Sequence, residues 1–469
     1  MSRLIDSTCS PTRTRFWIFG LCGTLGVTLL GPACGENTER VISKLPTASA
    51  VGGASAGANS AGNTSVGTGG NAFGGVNSTG GSSSGISSGG STSVAGSSNV
   101  ALKQAVGTPI GFAAVGSGGT SGGGMQPAVV VATCDDLQSQ LQSGDDLGVV
   151  VVDKTIDCRG TKQRDVTTCE LACDSTTGDT SRLTYRFLDS SAADCSTLKS
   201  SNSSYTAATP MVTKQRKDTI IYVRSNKTLL GSGPDATILG ATLYLTSDVS
   251  NIIIQNLNLT TVNPDILELG DAITIDGANH VWVDHCYFKD ISDGFVDAKS
   301  SASYITLSWN HFDGVNPSAC AQQHNYADTI EGSTVTFHHN FYDHTLSCSP
   351  KVSKAGARAH LFNNYWLNVL YYSIQVASGA QALLQNNDFN ESKRPYYGNS
   401  SCLESPATCA INVPATTPNR FEGVSLTESQ DTGGTVDPLP YDPSTYQVED
   451  SSLVATKVTQ GAGPTLTIP

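Results

Sequence analysis

The chain has 469 residues, enough for one large domain with extensions, and a formal net charge of −13. That charge excludes the basic surface that nucleic-acid phosphates require, so no nucleic-acid partner is expected. It also offers no long-range attraction to a polyanionic sugar, which would need a metal ion or local cations to meet it.

Arg3, Arg13 and Arg15 precede an apolar run from Phe16 to Leu30. The run is too short and too glycine-rich for a membrane-spanning helix, and residues 1–34 read as an export signal. Cys34 follows Gly31-Pro32-Ala33, a loose likeness to a bacterial lipoprotein box with glycine where an apolar residue is usual. A lipid anchor to an outer membrane through Cys34 and ordinary cleavage nearby are both open, and either makes the protein secreted or displayed at the cell surface. From Leu45 to Leu102 there is no Asp, Glu, Lys or Arg. Such a stretch buries too little apolar surface to offset its chain entropy, so residues 35–124 are expected to be a flexible Gly/Ser-rich tether. Residues 125–469 form the domain, which is expected to be a monomer.

Three of the 13 cysteines lie in or beside the signal. The other ten allow up to five disulfides in an oxidising compartment, with local pairs at Cys169–Cys173 and Cys402–Cys409 among the options. No Cys/His spacing argues for zinc. The stretch from Cys134 to Val152 predicts a short helix and then a strand over Val149–Val152. Cys158–Ser204 reads as a cystine-held loop insertion, and regular structure returns at Ile220.

From there the chain repeats. The segments IIIQNLNL at Ile252, VWVDHCYF at Val281, ITLSWNHF at Ile305, VTFHHNFY at Val335, AHLFNNYW at Ala359 and ALLQNNDF at Ala382 start 29, 24, 30, 24 and 23 residues apart. Short strands at such a period are the mark of a solenoid. In register, the sixth position gives Asn310, Asn340, Asn364 and Asn387, and the eighth gives Leu259, Phe288, Phe312, Tyr342, Trp366 and Phe389. Stacked coils would turn these into an asparagine ladder, whose amides satisfy one another, and an aromatic stack with large apolar burial. Hairpin signals of a β-sandwich are missing. Asn390–Pro469, rich in Pro, Ser and Thr, predicts an extended strap with little regular structure.

The segments SNKTLLGSG (Ser225–Gly233), GDAITIDGANHVWVDHCYF (Gly270–Phe288), SDGFVDAKSSASYITLSWNHF (Ser292–Phe312) and SPKV (Ser349–Val352) resemble polysaccharide lyase family 1, the pectate and pectin lyases. The likeness runs from about Ile220 to Phe389. It implies an all-β fold, a right-handed parallel β-helix with long loops on one side. It implies β-elimination on polygalacturonate or pectin, an acidic polysaccharide, with Ca2+ as cofactor. In that chemistry a base removes the proton at C5 and calcium neutralises the adjacent carboxylate. Asp271, Asp293 and Asp297 match the family's calcium positions; otherwise they would be turn or surface carboxylates. The acidic trio favours pectate over fully esterified pectin. Lys299, on the same strand face as Asp297, is a candidate for substrate carboxylates. The family likeness makes Asp284 and His285 a structural pair.

The chain departs from the family at the catalytic arginine, whose position before Ser349-Pro350 is Cys348, and at a lysine usual after the NHF segment, where Val315–Cys320 supplies none. Three readings stand. Cys348 pairs with Cys320, about one coil away, and the protein is a catalytically impaired uronate-binding β-helix. Alternatively Lys351, Lys354 or Arg358 is the base, with Lys351 also binding substrate. Last, Cys348 acts as a thiolate. A β-helical glycoside hydrolase is disfavoured, since the Asn-Thr-Asp, Asp-Asp and Arg-Ile-Lys motifs of polygalacturonases are missing.

Overall fold

Short apolar strands that recur every coil cannot bury their inward side chains alone, so each coil must stack on the next. A computed structural model shows this stack. It describes residues 103–469 apart from 117, 163–167, 172–184, 189–217, 265–268, 318–321, 325, 378, 399–408 and 425–434. Among the described residues, three parallel sheets of ten, nine and eight strands run the length of a right-handed β-helix, with one separate antiparallel pair, Thr168–Leu171 and Tyr185–Leu188. Each coil gives one strand to each sheet. Asn279–Asp284 joins the ten-stranded sheet, Tyr287–Ile291 the nine-stranded and Val296–Lys299 the eight-stranded.

The predicted register is the register found. Ile252, Val281, Ile305, Val335, Ala359 and Ala382 pair in succession and are buried. The asparagine ladder forms as expected: Asn310, Asn340 and Asn364 each donate from Nδ2 to the Oδ1 of the next, at 3.0, 3.0 and 3.1 Å. It runs one rung further, from Asn387 to Asn419 at 3.1 Å. The aromatic stack follows, with ring centroids 5.1 Å apart for Phe288–Phe312, 4.8 Å for Phe312–Tyr342, 5.2 Å for Tyr342–Trp366 and 4.5 Å for Trp366–Phe389.

The helix Cys134–Leu141 begins where Thr133 accepts from the Asp136 amide, and its Leu137 and Leu141 close one end of the core. The strand Gly148–Val152 follows it, as predicted. Cys134 is disulfide-bonded to Cys158. The Cys169–Cys173 and Cys402–Cys409 pairs cannot be followed, because Cys173 and Cys402 lie outside the described residues.

Three expectations are corrected. First, the packed chain begins before Met125. Residues from Lys103 onward lie on the ten-stranded sheet, where the Phe112 and Ala113 amides donate to Thr336 Oγ1 and Thr306 Oγ1 at 3.0 and 3.1 Å. One buried phenylalanine and backbone pairing to the sheet outweigh a glycine-rich composition. Second, five disulfides are not reached: Cys286 is a buried free thiol, taking the sixth repeat position, and burial pushes its pKa up to about 12. Third, the C-terminal segment is not a plain strap. It adds the strands Tyr396–Gly398, Ala410–Asn412 and Arg420–Glu422 and the helix Ser451–Gly461. Asp450 caps that helix by accepting from Ser452, and its Val454 and Val458 pack on Phe341 and Tyr365.

Candidate active site on the eight-stranded sheet

Alternation along a strand sends every second side chain outward. In Val296–Lys299, Val296 and Ala298 are buried while Asp297 and Lys299 face out, as the two-residue spacing predicts. Parallel pairing then aligns outward residues across coils. One row runs Tyr244, Thr274, Asp297, Thr329, Lys351, Gln375 and Tyr397. Beside it, Thr246 pairs with Asp276 and Asp276 with Lys299.

Asp271 precedes the strand Ile273–Asp276, and Asp293 lies on the turn before Val296. Asp271 Oδ1 accepts from the Gly294 amide at 3.1 Å and its Oδ2 from Thr274 Oγ1 at 2.5 Å. Asp297 Oδ1 accepts from the Thr329 amide at 2.9 Å. A Cβ on Gly294 would stand 2.4 Å from Asp297 Oδ1 and 3.3 Å from Asp271 Oδ1, so only glycine lets both carboxylates close over this turn. Burial, then the charges of Asp271 and Asp293, push the Asp297 carboxyl well above the usual carboxylate range. Burial works to lower the Lys299 ammonium, but Asp271, Asp297, Asp276 and Asp293 hold it above the ordinary lysine value. A carboxyl raised by neighbouring carboxylates is a place where a cation would be welcome.

Hard oxygen donors and surplus negative charge suit calcium in chemistry. Among the described residues, no three His, Cys, Asp or Glu side chains converge as a closed ligand set in this conformation. Asp271, Asp293 and Asp297 are the residues that would hold an ion, and Lys299 already offsets part of their charge.

The candidate bases separate. Lys351 lies in the outward row two strands from Asp297, roughly 10 Å away at ordinary strand spacing, and is largely buried. Lys354 is exposed and ion-paired with Glu331. Arg358 is on another sheet: it starts the strand Arg358–Phe362 of the ten-stranded sheet and donates to the carbonyls of Asp437 and Pro438 at 2.7 and 2.6 Å. Arg358 therefore does not face the acidic cluster. Its chain distance from Ser349-Pro350 misled, because seven residues suffice to turn from one sheet to the next. Cys348 is buried and disulfide-bonded, which removes the thiolate reading. Cys320, its suggested partner, lies outside the described residues. Asp284 and His285 belong to the ten-stranded sheet, where Asp284 accepts from Ser308 Oγ at 2.5 Å and Gln255 Nε2 at 2.8 Å, a structural network.

Sequence reasoning missed two supports. His324 Nε2 donates towards the carbonyls of Asp293 and Tyr326, at 2.8 and 2.6 Å, and burial lowers its pKa to about 4. Asp328 points inward, accepts from the Val296 amide and the Tyr342 hydroxyl at 3.1 and 2.7 Å, and burial raises it to about 8. Its only signal was a carboxylate at an inward-facing strand position.

A family model described as pectate lyase matches residues 191–465. The probable pectin lyase F of Aspergillus flavus is 32% identical over 308 residues, covering 64% of this chain and 67% of that protein. Pectin lyase D of Aspergillus niger is 34% identical over 300 residues, covering 61% and 73%. A pectate lyase from Bacillus sp. N165, solved with trigalacturonate, superposes with a TM-score of 0.52 at 22% identity, over 76% of this chain and 98% of that one. A pectate lyase from Acidovorax avenae subsp citrulli gives 0.51 at 19% identity, over 80% and 99%. These two likenesses establish the fold.

Proposed function

Since the chain belongs to the pectate lyase family of polysaccharide lyases, we propose that it cleaves polygalacturonate or low-ester pectin by calcium-dependent β-elimination across the outer face of the eight-stranded sheet. The observation that carries this reading is the closing of Asp271 and Asp297 over Gly294, with Asp297 in one strand row with Lys351. Bound calcium would supply neutralisation of the uronate carboxylate, which makes the neighbouring C5 proton acidic enough to leave. Asp271, Asp293 and Asp297 would hold the ion. Lys351, as the neutral amine, takes the C5 proton; the electron pair forms the C4–C5 double bond as the C4–O bond breaks, and water protonates the departing oxygen. Lys299 offsets the charge of the acidic cluster and meets a substrate carboxylate.

The fungal relatives bear the name pectin lyase. The acidic trio of this chain supports a preference for bare uronate instead. We also read the protein as exported: the basic-then-apolar start and the Cys134–Cys158 disulfide support a secreted or cell-surface site, with Cys34 as the candidate lipid anchor. No helix among the described residues is long and apolar enough to cross a membrane.

One observation favours a second reading. Cys348, at the family's arginine position, is locked in a disulfide, so that position cannot serve as a base. A uronate-binding β-helix without turnover would result if Lys351 does not replace it. The deciding experiment follows unsaturated product by ultraviolet absorbance on polygalacturonate, with calcium and with chelator, beside a calcium titration of the melting temperature. Calcium-dependent product establishes the lyase. Calcium-dependent stabilisation and binding without product establish the second reading.

A further inference from the structure

From Asp297 the outward row runs away from Lys351 through Thr274 to Tyr244 and ends at Tyr222, on the strand Ile220–Tyr222. Tyr222 is three strands from Asp297, roughly 14 Å along the sheet, and Asp297 lies between it and Lys351. Alternation turns Ile221 inward, where it is fully buried, and Tyr222 outward, where it is 46% exposed. A lone exposed tyrosine needs no explanation, but this one has a built support. Its ring meets the Tyr244 ring edge-on, with centroids 5.7 Å apart and planes at 67°. The Tyr244 hydroxyl donates to Asp276 Oδ2 at 2.6 Å, and burial together with that carboxylate holds it well above the ordinary tyrosine range, so it stays a donor. The charge around the pair is negative. Arg224, two residues after Tyr222, is taken by Asp145 at 2.8 Å and Asp248 at 3.0 Å. With Asp276, three carboxylates stand against one guanidinium on this stretch of the face.

We infer that Tyr222, propped by Tyr244, forms a distal subsite for a methyl-esterified galacturonate residue. The inference rests on the reading of this face as the substrate face, and adds to it the ester pattern of the substrate. An aromatic ring fixed by a neighbour offers a flat apolar surface to the C–H face of a sugar and loses little freedom on binding. A bare uronate would bring its carboxylate into a field of its own sign, set by Asp276 and the surplus of carboxylates over Arg224. The methyl ester carries no charge and adds a methyl group to bury against the ring. The two parts of the row therefore ask for different residues. At Asp297 the carboxylate partner of a bound ion is wanted, so a bare uronate sits there. Three strands away, at Tyr222, the neutral ester is preferred. A chain with a few esters at a fixed distance from the reacting residue satisfies both, which selects low-ester pectin over fully stripped polygalacturonate.

The test is a stopped-flow fluorescence titration of the full chain, in calcium, with hexagalacturonate and with the hexagalacturonate fraction that carries two methyl esters. Wild type should bind the diester at least as tightly as the bare oligomer. Tyr222→Ala should weaken diester binding roughly 3–10-fold, the worth of one sugar face and a methyl group on an aromatic ring, and bare binding by less than about two-fold. Tyr222→Phe should keep the wild-type preference. Asp276→Asn, whose amide oxygen still accepts from Tyr244, should tighten the bare oligomer and leave the diester unchanged. Matching melting temperatures exclude a folding defect. If wild type prefers the bare oligomer, or if Tyr222→Ala weakens both ligands alike or neither, the subsite is overturned while the function stands. If wild type binds neither ligand, the reading of the whole face falls and the subsite with it.

Discussion

Only a neutral amine can accept the C5 proton, and Lys351 must meet that demand two strands from the acidic cluster. If it does so, the rate should climb with pH as the ammonium gives up its proton. Lys351→Met keeps the length of the stem and removes the base. We expect product formation to fall ~100-fold or more, with polygalacturonate binding changed by only a few-fold. A pH–rate profile of the wild type and the kcat of the variant check this together. Unchanged kcat would remove Lys351 from the chemistry. Lys354→Met serves as the contrast, since that side chain is exposed and paired with Glu331, and it should leave kcat within about two-fold.

At the scale of strands and turns, the asparagine ladder converts a sequence pattern into stability. Asn364 donates to the Phe337 carbonyl at 2.9 Å and accepts from the Asn340 amide at 3.0 Å. Asn364→Leu would leave both buried backbone groups unpaired, at ~1–3 kcal/mol each. Denaturant unfolding should show a loss of about 2–5 kcal/mol; a loss under 1 kcal/mol would mean that the ladder is ornamental. This element was legible because identical residues at a fixed period leave one geometry that satisfies them. Asp293 and Asp297 could be placed close together for a similar reason, as carboxylates on either side of a glycine in DGFVD. Arg358 was misplaced because a strand face can be counted from the sequence, but the corner between two sheets cannot. A second element-level feature is His360, whose Nε2–H donates to Gln385 Oε1 at 2.8 Å and whose Nδ1 accepts from Tyr441 at 2.7 Å. Burial lowers its pKa to about 4. The unfolded imidazole titrates near ~6.5, so between those values the unfolded state binds more protons. The contribution of His360 is therefore complete above about pH 6.5 and is lost as pH falls towards about 4, by at most ~3 kcal/mol. His324 slopes the same way and Asp328 the opposite way, so the difference between wild type and His360→Gln isolates the effect. Denaturant unfolding at pH 4.5, 5.5 and 7 should show a flatter acid limb for the variant; parallel limbs would sink the assignment.

At the scale of the whole molecule, the segment after Lys103 packs on the ten-stranded sheet and the helix Ser451–Gly461 on the nine-stranded one, and the eight-stranded sheet is the face we propose for substrate. The Phe112 amide donates to Thr336 Oγ1, Thr336 meets the Tyr441 hydroxyl at 3.0 Å, and Tyr441 reaches His360, so one relay ties the segment after Lys103 to the segment before Pro469. The Phe112 and Tyr441 rings pack edge-on at 5.4 Å, and Val106 exchanges two hydrogen bonds with Gln255. A domain cut at Met125, where composition alone sets the boundary, would bare Ile253 and Trp282, which are now 3% and 4% exposed. It would also strip partners from Thr306 and Thr336. Losing Phe112 alone should cost about 3–5 kcal/mol. Residues 103–469 should therefore melt several degrees above residues 125–469. Equal melting temperatures would show that the segment before Met125 only rests on the sheet, and would return the domain boundary to Met125.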